Sequence, residues 1–226
     1  MTHEAPAHQA GVGRKQGQVV AAARELFLAH GFDATTMNMI ASRADVSKAT
    51  LYAYYPAKAQ VFLAVILDEK QRLHQAVADI GRDPTRSTRE KLLQFGRTAI
   101  CGYSTPEHIA FFRMVIAATL RFPEIGRAIE SDMRAPLRNL VAEIVADGVR
   151  TGELSCPDPG AASRMLLAMM RGDMVMTMLF DHEAAEVLQA DMARHVENSV
   201  DAFMRAWHPW PPGQSRSLDP RGSAPR

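Results

Sequence analysis

The stretch VSKATLYAYYPAKAQVF, residues 46–62, gathers three of the chain's four tyrosines (Tyr52, Tyr54 and Tyr55) between two isolated lysines, Lys48 and Lys58. Three phenols are too polar for a buried core, and three rings are too apolar for a solvated loop. Local punctuation organises the stretch. Ser47 is an N-cap residue type, a short helix runs from Lys48 to about Tyr54, and Pro56 ends it because the residue before a proline avoids the helical region. Upstream, Thr36 caps another short helix, from about Met37 to Ala44. A longer helix from about Lys15 to His30 carries an apolar stripe at Val19, Val20, Ala23, Leu26 and Phe27 and stops at Gly31. A long fourth helix begins near Lys58 and fades by Gly81.

Two short helices joined by a tight turn and braced by a longer one describe a helix-turn-helix unit. The second short helix of such a unit enters the DNA major groove. Here it leads with Ser47 as cap and then Lys48, Ala49 and Thr50. Lysine donates to guanine O6 and N7, threonine donates or accepts and offers a methyl to thymine, and alanine permits close approach. Tyr52 and Tyr54 lie further along, where a phenol O–H reaches a phosphate oxygen and fixes register. Leu51 and Tyr55 turn inward. Lys58, with the unpaired N–H groups at the start of the fourth helix, forms a phosphate seat. Thr36 serves similarly on the other side, and Asn38 reaches a base edge or a phosphate.

Composition narrows the classes. Of 226 residues, 47% are hydrophobic and 23% charged, with a net charge of +1, so any nucleic-acid contact rests on a local patch rather than a basic field. The longest apolar runs, such as MLLAMM at 165–170, are far too short to span a bilayer. MTHEAPAHQAGVG at the N-terminus has no signal-peptide pattern, and the expected location is the cytoplasm. Cys101 and Cys156 are too few for a disulfide framework, and a buried structural thiol is the stronger reading of Cys101. The eight histidines show no metal-ligand spacing, and no Walker A, GxGxxG or GxSxG motif occurs. Neither a cofactor, nor a metal, nor an enzymatic activity is expected.

Residues 14–62 resemble the DNA-binding domain of the TetR family of bacterial transcriptional regulators. The resemblance is carried by AAARELFLAHGFDATTMNMIA and RADVSKATLYAYYPAKAQVF. Two positions depart from the family pattern: Asp45 stands where the turn usually holds glycine, and Met39 where an acidic residue often completes a capping box. The remaining RFPEIGRAI and GVRTGEL segments resemble the family less specifically. The expected architecture is all-α, with a helix-turn-helix domain at 14–60, a larger helical effector-binding and dimerisation domain at 61–207, and disordered segments at 1–13 and 208–226.

In the larger domain the helical pattern gives segments at about Arg89–Tyr103, Glu107–Arg121 and Glu124–Arg150, the last kinked or split by Pro136. A helix over about Gly160–Phe180, apolar nearly all round, is followed by one over Ala184–Trp207 with a stripe at Leu188, Met192, Val196, Val200, Phe203 and Trp207. The resemblance implies a homodimer that packs these last two helices into a four-helix bundle. It then presents two recognition helices to a near-palindromic double-stranded operator at roughly one DNA turn. It also implies a small-molecule effector bound in the larger domain that shifts the fourth helix and releases DNA, most simply as a repressor. Candidate pocket residues are Phe95, Tyr103, Phe111, Phe112, Met114, Val115, Met169, Met170, Arg171 and Met174, which suit an apolar, aromatic or acyl-like ligand. Their plainer reading is core, and for Arg171 and Asp173 it is the helix edge. The alternative function is an all-helical small-molecule-binding or interaction protein without sequence-specific DNA binding.

Overall fold

The computed structural model describes the backbone of residues 6–209 and the side chains of residues 13–181 and 183–209. The disorder expected of residues 1–5 and 210–226 therefore lies outside the described residues. All regular structure among the described residues is helical. Helix α1 (Pro6–Ala34) begins well before Lys15, the start read from the sequence. A proline in the first turn gives up no hydrogen bond. The helical path breaks at Gly31, whose φ of +78° few other residues adopt.

Helices α2 (Met37–Arg43) and α3 (Lys48–Tyr54) follow, each with its expected cap: Thr36 Oγ1 accepts from Met39 N at 3.2 Å, and Ser47 Oγ from Thr50 N at 3.0 Å. The turn between them runs through Asp45 at φ +51°, the only non-glycine with positive φ among the described residues. Aspartate thus takes the left-handed turn that glycine would take at lower cost. Helix α4 (Lys58–Val77) starts in this unit and extends into the larger one. The small core gathers Phe27, Ile40, Leu51, Phe62 and Val65, with Phe27 and Phe62 edge-to-face at 5.0 Å.

In the larger unit α5 (Thr88–Phe95) widens into a π-helical turn at Gly96–Cys101. A Cβ at Gly96 would lie 2.4 Å from Val196 Cγ1, so glycine allows α5 to press against the last helix. After α6 (Pro106–Thr119), the expected 124–150 helix is split. Helix α7 (Pro123–Ala128) passes through a π-helical turn at Ile129–Arg134 into α8 (Ala135–Arg150), which puts Pro136 in a first turn, where it costs little.

The last pair is α9 (Pro159–Phe180) and α10 (His182–Ala206). The α9 pattern predicts an unbroken helix, yet Gly172 takes φ +52° and ψ −162° and kinks it. The break is held by α10: His195 Nε2 and Ser199 Oγ bond the Met169 carbonyl at 2.8 and 3.1 Å.

Candidate nucleic-acid interface

Helix α3 presents one face to solvent and buries the other. Leu51 is the buried residue of α3 and pins it to the small core, while Ser47, Lys48, Ala49 and Tyr52 are exposed and Thr50 and Tyr54 half-buried. The Ser47 and Thr50 hydroxyls bond each other at 2.8 Å, which fixes both at the head of the helix. Lys48 has no hydrogen-bond or ion-pair partner among the described residues. Thr36 and Asn38 are exposed at the start of α2. Arg43 is held by Glu25 at 2.5 Å and braces α2 on α1.

Lys58 is a correction. Its ammonium donates to the carbonyls of Phe32, Asp33 and Thr35 at 2.5, 3.1 and 2.8 Å and sits 4.5 Å from the Phe32 ring. An ammonium has three hydrogens, so none remains for a phosphate. Together with Thr35 Oγ1, which donates to Leu26 O and Gly31 O, Lys58 closes the carbonyl end of α1. A lysine at a helix start looks the same in sequence whether it faces solvent or a neighbouring helix end.

A buried network joins this unit to the larger one, and no local motif announced it. Glu69 of α4, 4% exposed, accepts from Arg24 of α1 at 2.5 Å; Arg24 also pairs with Glu107 of α6 at 2.9 Å. The His108 imidazole and the Arg24 guanidinium hold the Glu69 carboxyl down at about 2, against burial, which pushes it up. Arg24 is the direct bond; His108 Nε2, at 3.8 Å, is beyond hydrogen-bond reach and acts electrostatically. Tyr103 Oη donates to the Glu69 carbonyl at 3.4 Å, and its ring lies 4.7 Å from that of His108.

The ten candidate pocket residues do not form one wall. Phe111, Met114 and Val115 pack on the small-unit core, because α6 bridges the two cores. Phe95, Tyr103, Met170 and Met174 belong to the larger core, while Phe112 points outward. Met169 is half-buried, its carbonyl bonded by α10. Burial, then the nearby Arg134 and Arg138 charges, push the half-buried Arg171 guanidinium down, partly offset by Glu130, while Asp173 is exposed. Burial also raises the Cys101 thiol, which disfavours a reactive thiolate. Clefts of about 550 and 730 Å³ lie elsewhere, around the segment after α4.

The expected dimer stripe is likewise corrected. Met192, Val196, Val200 and Phe203 are at most 2% exposed within one chain, and Leu188 packs beside them on the chain's own core. Helical periodicity identifies a buried face without saying which surface buries it. On the last two helices the large apolar residues left uncovered among the described side chains are Met165, Met176 and Phe180 on α9 and Val187 on α10; Leu67 on α4, Phe112 and Ile116 on α6 and Leu120 just after it are exposed as well.

Residues 19–65 match the family model for bacterial regulatory proteins of the tetR family, and residues 90–209 match that for the C-terminal domain of AefR-like transcriptional repressors. The uncharacterized HTH-type transcriptional regulator Rv1556 of Mycobacterium tuberculosis is 26% identical over 142 residues, 62% of this chain and 66% of that protein. The chain thus spans just under two thirds of the length of the mycobacterial relatives it matches. A putative TetR-family transcriptional regulator from Mesorhizobium loti superposes with a TM-score of 0.80 at 24% identity, covering 87% of this chain and 98% of that one. The flavonoid-responsive regulator FrrA superposes with a TM-score of 0.64 at 28% identity, covering 87% and 98%. With both halves matched and the helix-turn-helix geometry intact, the chain belongs to the TetR family of bacterial transcriptional regulators.

Proposed function

We propose that this chain acts in the cytoplasm as a homodimeric, sequence-specific DNA-binding regulator, a repressor released by a small molecule rather than an enzyme. The observation that carries the reading is α3: a capped, core-anchored helix whose leading lysine is exposed and has no partner among the described residues. Lys48, Ala49 and Thr50 face bases, and Tyr52, Tyr54, Thr36 and Asn38 face the sugar-phosphate backbone or base edges. Lys58 contributes indirectly, by setting the end of α1 against α4.

Dimerisation uses the uncovered Met165, Met176, Phe180 and Val187, a patch that a twofold axis sets against itself. The residues offered to an apolar or aromatic effector are the half-buried Tyr103, Met169, Arg171 and Met174. The flavonoid-responsive neighbour supports control by an aromatic ligand. Tyr103 gives such a ligand a route to DNA: its hydroxyl touches the α4 backbone at Glu69, the residue tied to α1. The ligand must favour the α4 position that does not fit DNA, since equal affinity for both states shifts nothing.

Footprinting of DNA from upstream of the protein's own gene tests the reading. Two protected half-sites roughly 34–36 Å apart are expected, and Lys48→Ala should blur the preference between sequences. Protection that is uniform along the fragment, in wild type as in variant, would refute it.

A further inference from the structure

The cleft of about 730 Å³ lies between the segment that follows α4, the start of α5, and the outer face and end of α8. Its volume falls in the range of small-molecule sites. Most charges along it are already matched. Glu153 accepts from Thr88 N and Thr88 Oγ1 at 2.9 and 3.0 Å and from Thr151 Oγ1 at 3.2 Å. Asp147 takes Arg150 at 3.1 Å, and Arg86 is held by Asp83 at 2.9 Å and by Gln94.

Lys91 is the exception. It lines the cleft, is 8% exposed, and has neither hydrogen-bond nor ion-pair partner among the described residues. The side-chain polar atom fully sealed without a partner among the described residues is His74 Nε2, so the Lys91 ammonium still meets open space, and the space beside it is the cleft. Three carboxylates line the same cleft, yet none comes within 4.0 Å of the ammonium. Glu143 on the rim is exposed and also without a partner among the described residues.

We infer that this cleft binds a small monoanionic organic acid carrying hydroxyl or amino donors, its carboxylate on Lys91 and its donors on Glu143. The charge pattern sets the class. Lys91 requires an anion, and Glu143, without a partner among the described residues, accepts donors and disfavours a second negative charge; the other charges of the lining, Arg82, Arg86 and Arg150 with Asp147 and Glu153, are already engaged. The site is separate from the effector region proposed above, because none of Tyr103, Met169, Arg171 and Met174 lines it. Its consequence for DNA rests on the regulator reading. The cleft's wall at Ala78, Gly81 and Arg82 continues directly from α4, whose first half lies in the small core, so an occupant clamps the far end of the helix that links the two units.

The test uses D-gluconate and D-glycerate as donor-bearing monoanionic acids, sorbitol as the neutral polyol and inorganic phosphate as the dianion, each at up to 10 mM with the full chain. At least one acid should raise the melting temperature saturably, by about 2–5 °C at tenfold excess over Kd, and sorbitol and phosphate should not. Lys91→Met, which keeps the apolar stem, should weaken acid binding by about 10–100-fold in calorimetry. Glu143→Ala, on an exposed rim where folding is not at stake, should weaken it by about 5–10-fold. No shift with either acid, an equal shift with sorbitol or phosphate, or full binding by the Glu143 variant would overturn the inference. A gel shift on the upstream fragment, with and without the binding acid, is read separately. Acid binding that depends on Glu143 without any DNA binding keeps the site and removes the regulator reading.

Discussion

Replacing Glu69 by glutamine tests the junction between the two units. The carboxyl is held at about 2 instead of its usual 4.5. That difference, times about 1.4 kcal/mol per unit, sets a ceiling on the order of 3 kcal/mol on what ionised Glu69 adds to folding. Arg24 keeps 22% of its side chain exposed, and solvent screening brings the expected figure to about 2 kcal/mol. For a chain of this size that is a fall of roughly 4–8 °C in melting temperature at pH 7. The sign follows from the depressed pKa. The contribution is fully present above 4.5 and is lost as the pH falls toward 2, the range over which folded Glu69 finally takes its proton. Urea unfolding of wild type and Glu69→Gln between pH 7 and 2.5 is the assay. The gap between them should narrow steadily as the pH falls below 5. Other carboxylates, such as Asp83 and Glu90, are also depressed, but they are common to both proteins and cancel in the difference. A variant as stable as wild type at pH 7, or a gap that does not change with pH, would refute the reasoning.

Other substitutions probe single contacts. Lys58→Met removes the donors to three α1-end carbonyls and should cost about 2 kcal/mol in chemical denaturation; DNA binding lost with no stability change would restore a direct phosphate role. Gly96→Ala puts a Cβ 2.4 Å from Val196 Cγ1 and should destabilise by about 1–3 kcal/mol, largely recovered by adding Val196→Ala, since the second change opens the space the first needs. Gly172→Ala combines a positive φ with a contact 2.7 Å from His195 Nε2 and should lower the melting temperature with no such rescue from Val196→Ala. Phe180→Ser, at an 85% exposed position, should leave the chain folded and shift sedimentation toward monomer, whereas Val200→Ser should impair folding itself.

The small unit was legible because its signals are local. Thr36 and Ser47 cap helices within three residues of themselves, Pro56 ends α3, and Gly31 breaks α1. Even Asp45, off the family pattern, adopts the turn conformation its position demands. What the sequence could not carry were partners distant along the chain. Lys58 reads as a free cation until the end of α1 is folded against it. The Met192–Phe203 stripe was correctly read as a buried face, but its partner is the same chain rather than a second copy. Phe111 and Val115 look like pocket lining until α6 is seen to serve both cores. The Gly172 kink hides in an apolar run because its compensating donors, His195 and Ser199, lie on another helix. Glu69 and Lys91 carry no motif; burial alone distinguishes them from ordinary solvated charges.

The claim that a homodimer reads sequence through α3 is tested most directly by fluorescence anisotropy on the upstream fragment and a scrambled one, over a salt series and with stoichiometry measured. The account predicts two chains per site, affinity falling steeply with salt on both fragments, and a preference for the upstream sequence of about 10³-fold or more that Lys48→Ala reduces. Equal affinity for the two fragments at every salt concentration, or a single chain per site, would contradict it.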